Sequence, residues 1–158
     1  MRVLILVCLV ALLGCSREAV PTDEALIADF HRCQPQYQAA LAAIRQRPLI
    51  KRVEASKTGE LQFEPVGMPE ARARPIRDLF ACARLTSIHA GPNHVAFDAH
   101  VSGLSIGGTL KGMTYSDDPP EKIVRSTDDE LAQGREAQRY AYGDRPVEDD
   151  WYVSLSAN

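Results

Sequence analysis

The chain has 158 residues, 45% of them hydrophobic and 25% charged, with 18 Lys and Arg against 21 Asp and Glu and a formal net charge of −3. A mildly acidic chain lacks the basic surface that phosphate backbones demand, which excludes nucleic acid as a partner. The length suits one domain, large enough to bury a single core without a structural metal or a dense disulfide framework.

The N-terminus has the layout of an export signal. Met1 and Arg2 form a short positive region, Val3 to Leu13 are all apolar, and Gly14 places a small residue before Cys15. Eleven apolar residues are too few for a spanning helix, which needs about 20. The sequence Leu12-Leu13-Gly14-Cys15 resembles the lipobox of bacterial lipoproteins. That resemblance implies cleavage before Cys15, diacylation of its thiol and acylation of the new amine. Ordinary secretion with cleavage nearby is the plainer alternative. Several acyl chains hold a protein on a membrane far better than one. Ser16 follows the cysteine; by resemblance to enterobacterial sorting rules, the absence of aspartate there implies an outer-membrane lipoprotein facing the periplasm. The expected organisation is a cleaved leader over 1–14, a lipid-anchored tether over 15–21 and one globular domain over 22–158. Loss of Arg2 with the leader takes the net charge from −3 to −4.

The same resemblance sorts the four cysteines. Cys8 leaves with the leader and Cys15 carries lipid. Cys33 and Cys82 then remain in a compartment that oxidises thiols, where the expectation is one disulfide. The alternative is a pair of free buried thiols. Neither cysteine has a second thiol at metal-type spacing.

Thr22 offers an N-cap, Asp23 and Glu24 suit a first turn, and Leu26, Phe30, Cys33, Tyr37, Leu41 and Ile44 recur every three or four positions. The pattern predicts an amphipathic helix to about Arg47, kinked or divided at Pro35 and stopped by Pro48. "LIKRVEAS" and "ELQFEPV" around Lys57-Thr58-Gly59 predict a loose hairpin. From Pro69 a second helix is expected, with Ile76, Leu79, Phe80 and Ala83 on one face, Cys82 at its edge, and Arg72, Arg74, Arg77 and Arg84 opposite.

Beyond Leu85 the pattern turns to strands. Gly91-Pro92 marks a turn, and Val95, Phe97, Ala99 and Val101 alternate with His94, Ala96, Asp98 and His100. An even hairpin pairs Ile88 with Val95 and His89 with His94. "LSIGGTLKGMTYS" follows as a twisted, glycine-rich strand, and "PPEKIVRSTDDELA" as a short helix. "QRYAYG" and "DWYVSLS" close the chain, with Trp151, Val153 and Leu155 inward. The expected class is α+β: two N-terminal helices packed on a twisted antiparallel sheet with a short inserted helix.

Four constellations bear on chemistry. Gly103-Leu104-Ser105-Ile106-Gly107 fits the G-x-S-x-G elbow of serine hydrolases, but a strand follows where a helix is required and no histidine comes after His100. A glycine-rich, twisted strand is the preferred reading of Ser105. His89, His94 and His100 suggest a metal; His100 lies roughly 20 Å along the strand from His94, so two ligands at most converge where zinc needs three or four. Asp117-Asp118, Asp128-Asp129-Glu130 and Glu148-Asp149-Asp150 lack a calcium-loop pattern; they read as solvated turns and helix termini, opposed to a basic patch at Arg72 to Arg84. Tyr140, Tyr142, Trp151 and Tyr152 could stack on glycan, yet Trp151 shares its face with Val153 and Leu155, which favours the core.

"GGTLKGMTYSDDPPEKIVRSTDD" and "VEDDWYVSL" resemble a pattern in small uncharacterised proteobacterial proteins, in which a Lys-Gly-x-x-Tyr-Ser strand precedes a proline-led helix and the chain ends on a Trp-Tyr strand. This resemblance implies a recurring fold over the last third or half of the chain and carries no activity. No cofactor, metal or catalytic residue is expected. The expected role is a non-enzymatic binding or protective module of the cell envelope, with the membrane reached through its lipid and an envelope protein or peptidoglycan as partner. A small envelope hydrolase and a glycan-binding module are the alternatives.

Overall fold

The computed structural model describes residues 19–46, 50–103 and 108–158. Cys15 and Ser105 lie outside these residues. The class is α+β, as the sequence predicts.

The first helical stretch is divided. Helix α1 spans Asp23–Arg32, helix α2 spans Gln34–Arg45, and Cys33 is the joint between them. Pro35 sits in the first turn of α2, where its missing N–H costs nothing because no intrahelical acceptor waits for it. Strands β1 (Arg52–Ala55) and β2 (Leu61–Glu64) form the expected hairpin, and helix α3 spans Glu70–Cys82. Arg72 of α3 donates to the carbonyls of Ala43 at 2.9 Å and of Gln46, satisfying acceptors that the end of α2 leaves open. A disulfide joins Cys33 to Cys82 with Cα atoms 5.9 Å apart, stapling the α1–α2 joint to the end of α3.

Strands β3 (Ser87–Ala90), β4 (His94–Ser102), β5 (Thr109–Ser116), β6 (Ala141–Glu148) and β7 (Trp151–Ala157) complete the sheet, in the order β2-β1-β3-β4-β5-β7-β6 with every pairing antiparallel. Helix α4 spans Thr127–Ala137. It starts later than the sequence suggests, because Ser126 supplies the N-cap by accepting the Asp129 amide and Asp128, Asp129 and Glu130 fill the first turn. The preceding segment is extended, and Ile123 bridges to Asp144 on the β6 edge.

The register assigns the two faces of the sheet. Val53, Ile88, Phe97, Met113 and Val153 stand in one cross-strand row and bury themselves under Phe30, Tyr37, Ile44, Ile76 and Leu79 of the helices. Trp151 is 2% exposed and meets Phe30, Tyr37, Phe97 and Tyr115 at ring separations of 4.9 to 5.6 Å. At one end of the same face Leu131 of α4 packs on Ala141, Leu155 and Ala157, with Val20 beside them. All four described helices therefore lie on one face of the sheet.

Two sequence expectations need correction. The β3–β4 hairpin pairs Ile88 with Phe97 and His89 with Ala96, two residues away from the even pairing, because the loop holds Gly91 to His94, closed by the Gly91 amide donating to the His94 carbonyl. Turn geometry, more than side-chain pattern, sets hairpin register. Next, β4 carries a bulge at Ala99, between the pairs Asp98–Gly112 and His100–Lys111. One extra residue reverses the alternation beyond it. His100 consequently turns inward and is buried, while Val101 turns out and is 44% exposed.

Gly112 lies opposite the bulge, where a Cβ would come 2.1 Å from the Phe97 carbonyl oxygen and 2.9 Å from the Asp98 Cα. Both neighbours are backbone, so neither can swing aside. Gly112→Ala should lower unfolding stability by about 1–3 kcal/mol, measured as a reduced denaturation midpoint at unchanged slope. An unaltered midpoint would show that the two strands are free to separate there.

Candidate functional site

The most concentrated polar chemistry is buried where α1, α4 and β5 meet. Asp23 is the first residue of α1 and Thr127 the first of α4, and each helix caps the other. The Thr127 amide donates to Asp23 Oδ2 at 2.8 Å, and the Asp23 amide donates to Asp128 Oδ2 at 2.9 Å. Thr127 Oγ1 also donates to Asp23. Two helix N-termini, each carrying partial positive charge, thus share two carboxylates.

Lys111 completes the arrangement from the sheet below. Its side chain is 0% exposed, and its ammonium pairs with Asp23 Oδ1 at 2.8 Å and with Asp128. Arg145 of β6 reaches Asp23 at 3.4 Å and Glu24 at 2.8 Å. Burial pushes the Asp23 carboxyl up, but the hydrogen bonds from Lys111 and Thr127 outweigh it and hold the group below the usual aspartate range. The two cations, Lys111 and Arg145, offset Asp23 and Asp128, so the buried part of the cluster carries no bare charge, while Glu24 is exposed.

Beside the cluster runs an open groove of about 1040 Å³, lined in part by Val20, Thr22, His100, Thr109, Asp128 and Leu131. Asp128 is the carboxylate of the cluster that reaches it, and both its oxygens are engaged. The cluster positions backbone and helix ends; it offers the groove no free base.

The face of the sheet opposite the helices carries a second group. Ser87 Oγ donates to Asp98 Oδ2 at 2.8 Å, and His89 Nε2 lies 3.4 Å from the same oxygen. Burial pushes the Asp98 carboxyl up, against the opposing pull of Ser87 and His89. Because the carboxylate stands between serine and histidine, the hydroxyl gives its hydrogen bond to an acceptor that cannot relay a proton onward to the imidazole in the manner of a triad.

The expected site residues are dispersed. His89 faces Asp98, His94 opens β4, and His100 lies beyond the bulge on the opposite face of the sheet; among the described residues no three His, Cys, Asp or Glu converge as metal ligands. The basic and acidic clusters are engaged locally. Arg72 caps α2, Arg77 pairs with Glu70, Asp117 with Arg45, and Glu130 with Lys122 and Arg139. Trp151 belongs to the core, leaving Tyr140 and Tyr142 exposed and stacked with centroids 5.5 Å apart.

Lys111 escaped the sequence reading. Its only signal was its parity with Met113 and Tyr115 on an inward-facing strand. No protein-family model matches the chain, and neither the curated proteins nor the solved structures contain a significant match.

Proposed function

We propose that the chain is a lipid-anchored protein of a bacterial envelope, held at the periplasmic face of the outer membrane through acylated Cys15, and that its domain is a non-enzymatic binding module. The observation that carries this reading is the one-sided layering of the sheet: the described helices all cover one face, and the other carries polar side chains that run from exposed Arg52 through half-buried Thr114 and Tyr152 to buried Ser87 and Asp98. Register sets two polar rows on the open face, Arg52-His89-Ala96-Thr114-Tyr152 and Glu54-Ser87-Asp98-Gly112-Ser154. Such a surface suits a polar envelope protein. The disulfide supports an oxidising compartment.

Cys15→Ser should move the protein from the membrane fraction to the soluble fraction and remove the acyl mass from its N-terminal peptide. A membrane-bound Cys15→Ser protein would sink the anchoring. For the binding face, a photo-crosslinking residue at His89 should capture one envelope protein near stoichiometrically, whereas the same group at Arg74, exposed on α3, should not. Equal capture at both positions would overturn the assignment to the open face. Cosedimentation with purified peptidoglycan, without protein capture, would replace the protein partner by glycan.

A further inference from the structure

Four of the six exposed large apolar side chains among the described residues gather at one end of the open face, Val66 and Ile123 lying elsewhere. Pairing places Val101, Leu110, Ser156 and Tyr142 in a single row across β4, β5, β7 and β6. Val101, Leu110 and Tyr142 are 44%, 42% and 38% exposed. Tyr140 extends the row by stacking on Tyr142, with its hydroxyl 2.5 Å from Ser156 Oγ. Lys122 Nζ lies 4.7 Å from the Tyr142 ring centre. The bulge at Ala99 creates the row, since regular alternation would have turned Val101 inward.

The N-terminal segment enters at the same end. Val20 packs against the cluster of Leu131, Ala141, Leu155 and Ala157, in which Ala141 is an immediate chain neighbour of Tyr142 and Ala157 of Ser156. Cys15 precedes Ala19 by four residues, a span of at most about 14 Å when fully extended. An anchor at Cys15 therefore tethers the domain from this end of the sheet.

We propose that the row Val101-Leu110-Tyr142, extended by Tyr140, is a bilayer-contact surface that sits in the headgroup and upper acyl region when the tether is anchored. The inference rests on the lipid anchoring proposed above. Aliphatic and tyrosine side chains with a lysine at the rim match the chemistry of that zone. Lys122 and Arg139 both engage Glu130, so apolar contact drives the docking and it is insensitive to ionic strength. The polar rows lie farther along the same face, toward the other end of the sheet.

The test uses the acylated full chain, extracted from membranes and reconstituted in phosphatidylethanolamine–phosphatidylglycerol vesicles. An environment-sensitive fluorophore is attached, under non-reducing conditions, at Leu110→Cys, Tyr142→Cys or His94→Cys, the last being exposed at the opposite end of β4. Emission from 110 and 142 should shift to the blue and be quenched by spin-labelled lipids, unchanged by high salt, while 94 stays in water. All three probes in water on a chain whose Cys15 carries its lipid would overturn the docking alone. A blue shift without lipid quenching, appearing only when an envelope protein is added, would assign the row to that protein instead. An unmodified Cys15 would overturn the anchoring, and the docking with it.

Discussion

Lys111→Ala should lower unfolding stability by about 3–5 kcal/mol, the usual cost of leaving buried charge uncompensated. The buried ammonium is the partner of both Asp23 and Asp128, and its removal leaves two carboxylates facing each other between two helix ends. Lys111→Met should fare little better, since it restores packing and not charge. Lys111→Met with Asp23→Asn should recover part of the loss, because one of the two anions goes with the cation. The measurement is equilibrium denaturation at neutral pH, and a Lys111→Ala protein of unchanged midpoint would show that the cluster contributes nothing.

The same pairing predicts acid sensitivity. The folded-state pKa of Asp23 lies below its ordinary value, so its contribution is fully present above the usual aspartate range near pH 4 and is lost as pH falls through the depressed folded value. The stability difference between wild type and Lys111→Ala should therefore narrow below about pH 4. A gap that stays constant into acid would argue against the ion pair as its source.

Loss of the Cys33–Cys82 disulfide should cost about 4 kcal/mol in the chain-entropy treatment for a loop of this length. Cys33 is buried at the joint of α1 and α2, and its partner ends α3, so the bond fixes three helices at one point. Cys33→Ala with Cys82→Ala, and reductant on the wild type, should lower the denaturation midpoint by similar amounts. If reductant leaves the midpoint where it was, the bond is absent from the folded protein.

How far each element was legible depended on whether its signal was local. Pro35 announced the break between α1 and α2 because proline acts on its own turn. Trp151, Val153 and Leu155 declared an inward face by simple alternation, and the pairing of Cys33 with Cys82 followed once two other cysteines were set aside. The β3–β4 register was not legible, since the loop from Gly91 to His94 fixes it through a backbone bond. Nor was the bulge at Ala99, which carries no compositional mark, and with it went the positions of His100 and Val101. Lys111 reads as a solvent residue on any local scale. Its burial follows from two aspartates at distant helix starts, which only the assembled fold brings over it.

Trp151 is the only tryptophan in the chain, and it touches rings contributed by α1, α2, β4 and β5. Its emission is therefore a built-in optical readout of whether the helical layer is seated on the sheet. The small cluster of Leu131, Ala141, Leu155 and Ala157 lies outside that aromatic group and is silent in the same signal. Comparing tryptophan emission with far-ultraviolet circular dichroism during unfolding would separate the two. Coincident transitions mean one cooperative unit, and a dichroism change that precedes the fluorescence change marks the α4 end of the domain as the part that opens first.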